Sequence, residues 1–105
     1  MGGSGSGGWT PSVPKDSCDT LGFLSALNSP QPAVLATLSV GEVLDVALTP
    51  PPQQAVSVLK AGALAGALTG PSIPSLIRCL QNGYDFEAEV TALNGGNCTL
   101  TVRPK

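Results

Sequence analysis

The sequence predicts an α+β domain that is mainly β. It should form a small half-open barrel of five to six largely antiparallel strands, with one clear helix over about 72–82 and a second, short helix over about 33–38. Three observations carry this. Residues 84–103 alternate apolar and polar on both sides of Asn94-Gly95-Gly96, the signature of a β-hairpin. Ile73, Leu76, Ile77 and Leu80 recur at helical spacing and form one apolar stripe. Between and before these segments, short apolar runs are separated by proline and glycine, as strands are by turns.

The chain begins with residues 1–8 (MGGSGSGG), a glycine-serine run of the type engineered as a flexible leader. Residues 9–17 are broken by proline and read as a flexible lead-in. The remainder, 18–105, is one domain; roughly 90 residues are too few for two. A domain of this size buries only about 60–65% of its unfolded surface, so modest stability is expected.

Within the domain, 18–29 reads as a first strand with Leu21, Phe23 and Ser25 on one face, although Leu24 and Leu27 blur the alternation. Ser29-Pro30-Gln31-Pro32 breaks it. Val34, Leu35 and Leu38 then fall at helical spacing. In 42–48, Leu44, Val46 and Leu48 alternate with Val43, Asp45 and Ala47, giving the next strand. Pro50-Pro51-Pro52 must stop pairing, because proline donates no ladder hydrogen bond; it reads as a rigid connector rather than a polyproline ligand. Residues 55–59 and 63–68 are two further strands joined by a tight turn at Lys60-Ala61-Gly62. Gly66 in mid-strand implies a bulge or a close neighbouring backbone. Helix 72–82 has Ser72 as its N-cap, Pro74 in the first turn, and Gly83 as its left-handed stop. In the final hairpin, a three-residue loop pairs Leu93 with Asn97. Ala92 then faces Cys98, Val90 faces Leu100 and Ala88 faces Val102, with Glu87 opposite Arg103 and Thr91 opposite Thr99 on the wet side.

Composition narrows the function. Charged residues are 11% of the chain and the net charge is −2, with a pI near 4.7. A nucleic-acid footprint would call for a pI above about 9. No apolar run reaches the roughly 18 residues of a membrane span. There is no histidine, which removes the commonest general base, Ser-His-Asp triads and most zinc sites. Arg78 adjoins Cys79, but helical neighbours point about 100° apart, and Cys79 sits beside the apolar stripe rather than on its crest. Glu87 and Glu89 share an outward strand face and read as solvated charges rather than an acid/base pair. Gly62 and Gly66 lack the Lys-Ser/Thr pair of a phosphate loop. Among the aromatics only Tyr84 is placed to show a ring at the surface.

Cys18, Cys79 and Cys98 are an odd set. They read as reduced, partly buried thiols, with a Cys18–Cys98 disulfide as the alternative if the first strand pairs with the last. Without histidine or a C-x-x-C pair, no metal site is expected. Asn97-Cys98-Thr99 matches a glycosylation sequon, which matters only in a secreted protein.

From about 43 to 103 the layout resembles the HIRAN domain. The matching parts are the strand EVLDVAL, the strand AVSVLKAG, the glycine-spaced segment from Gly62 to Leu68, the amphipathic helix from Ser72 to Leu80, and the strand carrying Phe86, Ala88 and Val90. The resemblance implies a small OB-like barrel of a kind that binds DNA ends or serves as a module in larger enzymes. Two features depart from that pattern. PPPQQ stands where an Asn-Pro-Tyr-Asp-like segment would precede the third strand, and the basic and aromatic residues of a DNA pocket are missing. The resemblance therefore transfers a fold and no binding residue.

The residues thus point to a non-catalytic, cytoplasmic interaction module that binds protein, as an adaptor, accessory or inhibitor-like domain. No catalytic, cofactor or metal residue is assigned. A HIRAN-like nucleic-acid barrel is the alternative, opposed by the acidic pI. An open sheet edge would offer a route to a homodimer.

Overall fold

A computed structural model describes residues 15–49 and 55–105. The leader, most of the lead-in and the triple proline lie outside the described residues. Among the described residues nine elements follow in order: α1 (Lys15–Thr20), β1 (Phe23–Asn28), α2 (Pro32–Leu35), β2 (Val43–Leu48), β3 (Val56–Lys60), β4 (Ala63–Leu68), α3 (Ile73–Gln81), β5 (Phe86–Asn94) and β6 (Asn97–Pro104).

The six strands form a closed barrel in the order β1-β4-β3-β2-β5-β6, and every neighbouring pair is antiparallel. The expected small antiparallel barrel is therefore present, with its seam sealed. Phe23 to Ala26 of β1 lie opposite Val102 to Thr99 of β6, which leaves no long free edge between first and last strands. The first strand is shorter than the run 18–29 suggested. Cys18 belongs to helix α1, which also takes in the last three residues of the lead-in. In β1, Ser25 and Leu27 point inward while Leu24 is 70% exposed. The Ser25 hydroxyl donates to the Ala26 carbonyl at 3.1 Å, so the inward polar atom is satisfied.

The core is built from the alternating positions. Val56, Val58, Leu76, Ala88, Val90, Leu100 and Val102 are all completely buried. Each large aliphatic side chain taken from water contributes about 1.5–3 kcal/mol before entropy is counted.

The hairpin register holds for most of its length and slips by one near the turn. Glu87 faces Arg103, Ala88 faces Val102 and Val90 faces Leu100, but beyond a bulge at Thr91 it is Ala92 that faces Thr99, Leu93 that faces Cys98 and Asn94 that faces Asn97. The loop is a two-residue Gly95-Gly96 turn, with positive φ at Gly95 but not Gly96, the pattern of a type II′ turn. The extra residue in β5 reverses the side-chain phase. Leu93, expected on the wet face, is consequently packed against the core.

A second bulge explains Gly66. The β3–β4 register shifts between Val58 and Leu59, leaving Ala65 as the extra residue of β4. A Cβ at Gly66 would lie 2.7 Å from the Asn28 carbonyl oxygen and 2.6 Å from Leu27 Cγ. Both alternatives read from the sequence therefore apply: a bulge, and a neighbouring backbone that only glycine admits. The β3–β4 turn places Ala61 (φ 50°) and Gly62 (φ 85°) in the left-handed region, as a type I′ turn requires.

Helix α3 ends in a Schellman motif. The Gly83 N–H donates to the Leu80 carbonyl and the Tyr84 N–H to the Cys79 carbonyl, each at 3.1 Å. At its start, Ser72 occupies the N-cap position but its hydroxyl makes no capping bond, because its own backbone is already helical. The predicted stripe packs inward, with Leu76 completely buried and Ile73, Ile77 and Leu80 partly so. Cys79, on the flank of this stripe beside Leu76, is also completely buried. It forms a disulfide with Cys18, with the two Cα atoms 5.7 Å apart. Cys18 and Cys79 are thus not free thiols, and Cys18 does not pair with Cys98, which is free and buried. The reason is position along the barrel. Cys98 lies beside the hairpin turn, whereas Cys18 precedes β1 at the opposite end, where Phe23 meets Val102.

Candidate interaction surface at the α2 end

The register places the structural features at two ends. One end carries α1, α3, the disulfide and the C-terminus. The other carries α2, the Ala61-Gly62 turn, the approach to β2 and the Gly95-Gly96 turn.

At this second end the chain leaves β1 through Ser29 and Pro30. The Gln31 N–H donates to the Ala65 carbonyl at 2.9 Å, so the segment runs alongside β4 before turning into α2. Pro32 sits in the first turn of α2, where its missing N–H costs nothing. The helix lasts one turn, and Leu38 just beyond it is buried. Pro30, Pro32, Leu35 and Ala36 face the glycine pair Gly95-Gly96 across a shallow cleft of about 210 Å³. Its walls are proline rings, aliphatic carbon and bare glycine backbone. On the same end Val40 is 63% and Leu64 46% exposed.

One ionic tether holds this end together. Lys60 Nζ donates to the Thr37 carbonyl at 2.7 Å and pairs with Glu42 at 2.9 Å. The Ser39 N–H donates to the same carboxylate at 3.1 Å. The hydrogen bond from Lys60, aided by that from Ser39, holds the Glu42 carboxyl below its ordinary value.

The other groups singled out in the sequence have structural surroundings. Arg103 bridges Glu87, at 2.8 Å, and Glu89 on the outer wall. Hydrogen bonds to Glu89 and Glu87 raise its pKa further, and the two carboxylates share one cation rather than holding the unequal environments of an acid/base pair. Burial pushes the Cys98 thiol up, away from a nucleophilic thiolate. Cys79 is committed to its disulfide, so Arg78 activates no thiol there. The Tyr84 ring is partly buried and packed on the core rather than displayed at the surface. Asn97 of the sequon is exposed beside the hairpin turn. Among the described residues no group of three or more His, Cys, Asp or Glu side chains could hold a metal ion, and no helix is long and apolar enough to cross a membrane.

The cleft was not legible in the sequence. Its two walls lie some sixty positions apart, and each carried only a turn signal, Ser29-Pro30-Gln31-Pro32 on one side and Asn94-Gly95-Gly96 on the other. Comparison with family models, curated proteins and solved structures gives no match.

Proposed function

We propose that the chain is a non-catalytic protein-interaction module that engages its partner through the α2 end of the barrel. The carrying observation is the cleft of Pro30, Pro32, Leu35 and Ala36 against Gly95-Gly96, on the same end as exposed Val40 and Leu64. Aliphatic surface and unencumbered backbone are what an apolar side chain of a protein partner needs. Barrel closure removes the open edge that would have supported a homodimer by strand pairing, so a different protein is the favoured partner.

The test is capture from native extract with the full chain as bait. Val40→Asp and Leu64→Asp, both surface changes, should abolish the captured species while leaving the thermal transition within a few degrees. Capture that persists in both variants removes this surface from consideration.

The HIRAN-like reading makes a separate forecast, salt-dependent retention of oligonucleotides. The electrostatics oppose it. Lys60, Arg103 and Lys105 all pair with carboxylates. No retention at low salt is the expected result. The proposal keeps the cytoplasmic setting expected from the sequence. There a disulfide is ordinarily a transient, redox-responsive bond rather than a permanent staple.

A further inference from the structure

We infer that Asn94 is a site of spontaneous covalent modification: its side-chain amide is converted, through a cyclic imide formed with Gly95, to aspartate and isoaspartate. The site stands independently of what docks at the α2 end.

The sequence holds two Asn-Gly pairs, Asn82-Gly83 and Asn94-Gly95. A glycine after asparagine favours this reaction, because no Cβ shields the backbone nitrogen that attacks the side-chain carbonyl. Both pairs are exposed, so access to water does not separate them. Hydrogen bonding does. At Asn82 both reacting groups are engaged. Its Nδ2 donates to the Arg78 carbonyl at 2.9 Å, and the Gly83 N–H donates to the Leu80 carbonyl at 3.1 Å. The end of α3 therefore restrains the leaving amide and the attacking nitrogen together. At Asn94 neither group is engaged. Among the described residues its side chain makes no hydrogen bond, and the Gly95 N–H donates to no group. The Asn94 backbone pairs with Asn97 on the last rung of the hairpin, and two glycines follow it. Exposed tips of this kind open locally at low cost. Opening lets Asn94 Cγ and the Gly95 nitrogen reach the near-attack geometry that an intramolecular step needs.

The step balances. Hydroxide removes the Gly95 N–H proton, and the nitrogen attacks Asn94 Cγ. The N–Cγ bond forms, the Cγ–Nδ2 bond breaks, and ammonia leaves with a proton taken from water. Water then opens the cyclic imide. Cleavage at Cγ gives aspartate, and cleavage at the Asn94 backbone carbonyl gives isoaspartate, whose chain runs through the side chain. Overall, one amide and one water become one carboxylate and one ammonium ion. Either product places a negative charge beside Gly95 in the cleft wall.

Asn82 supplies an internal control. The full chain is incubated at neutral pH, once native and once in guanidinium chloride, then digested in acid with a glutamate-specific protease. Cleavage after Glu87 and Glu89 puts Asn82 and Asn94 on separate peptides, and fragmentation in the mass spectrometer separates Asn94 from Asn97. In the native chain Asn94 should convert on the order of tenfold faster than Asn82. In denaturant Asn82 should accelerate until the two rates converge. Asn94→Gln, whose longer side chain closes the ring poorly, should remove the fast conversion and leave Asn82 slow. Any of three results overturns the assignment. Equal native rates mean that the end of α3 protects nothing. Conversion of Asn94 in denaturant alone means that the hairpin holds it. Fast native conversion that survives Asn94→Gln means that the reactive amide lies elsewhere.

Discussion

The two ends of the barrel are built on opposite principles. At the α3 end, a nine-residue helix presents a buried face, closes with a Schellman motif and is tied to α1 by a disulfide spanning 61 positions. A cross-link enclosing a loop of that length removes about 4 kcal/mol of unfolded-state entropy in the chain-entropy account. At the α2 end, a four-residue helix with no buried residue of its own faces a glycine turn across a cleft and is joined to the barrel by the Gln31–Ala65 hydrogen bond and the Lys60–Glu42 ion pair. The contrast shows where this small domain concentrates its stability and where it leaves a surface unfinished.

The largest expected effect contrasts the two ends directly. Leu76→Ala at the α3 end should cost about 3–4 kcal/mol, because a completely buried leucine leaves a cavity behind. Leu35→Ala in the cleft wall, a half-buried residue, should cost about 1 kcal/mol or less. Denaturant midpoints of the two variants decide it, and equal losses would erase the proposed division.

Next comes the seam between the ends. Gly66→Ala forces a methyl against the Asn28 carbonyl and Leu27, and overpacking of this kind costs about 2–3 kcal/mol. A loss near zero would mean that β1 can back away from β4.

A smaller change should act in the other direction. Ala61 holds a φ of 50°, which costs an L-residue about 1–2 kcal/mol. Ala61→Gly relieves it at the expense of unfolded-state freedom, for a net gain of about 0.5 kcal/mol, read as a small rise in melting temperature.

The smallest effect is electrostatic. The folded-state pKa of Glu42 is depressed, so its contribution is present above the ordinary carboxylate value and is lost as the pH falls through the lowered one. As the pH falls through that lowered value, the Ser39 amide should lose its carboxylate partner. Its proton resonance should then shift while those of β5 and β6 stay put. A Ser39 resonance that ignores pH would dissociate the tether from the α2 end.

Much of the fold was legible because strand and helix periodicities are local. Phe86, Ala88, Val90, Leu100 and Val102 announced their face by alternation alone, and Ile73, Leu76, Ile77 and Leu80 theirs by helical spacing. Legibility failed where one residue altered the phase. The bulge at Thr91 turned Leu93 inward, and nothing in the run from Phe86 to Asn94 marks which position bulges. It failed again where partners are distant. Cys18, Cys79 and Cys98 allow several pairings, and composition does not choose among them.

By itself, then, the sequence determined where most of the strands and the amphipathic helix run, and that Gly66 marks an irregularity in its strand. These follow from side-chain periodicity and backbone sterics, which act over a few residues. Only the tertiary structure decided that β1 seals the barrel against β6, that Cys18 meets Cys79, and that Pro30 and Leu35 face Gly95 across a cleft. Those pairings depend on how the strands wrap round one shared core, and a contact between distant residues leaves no mark on the periodicity of either.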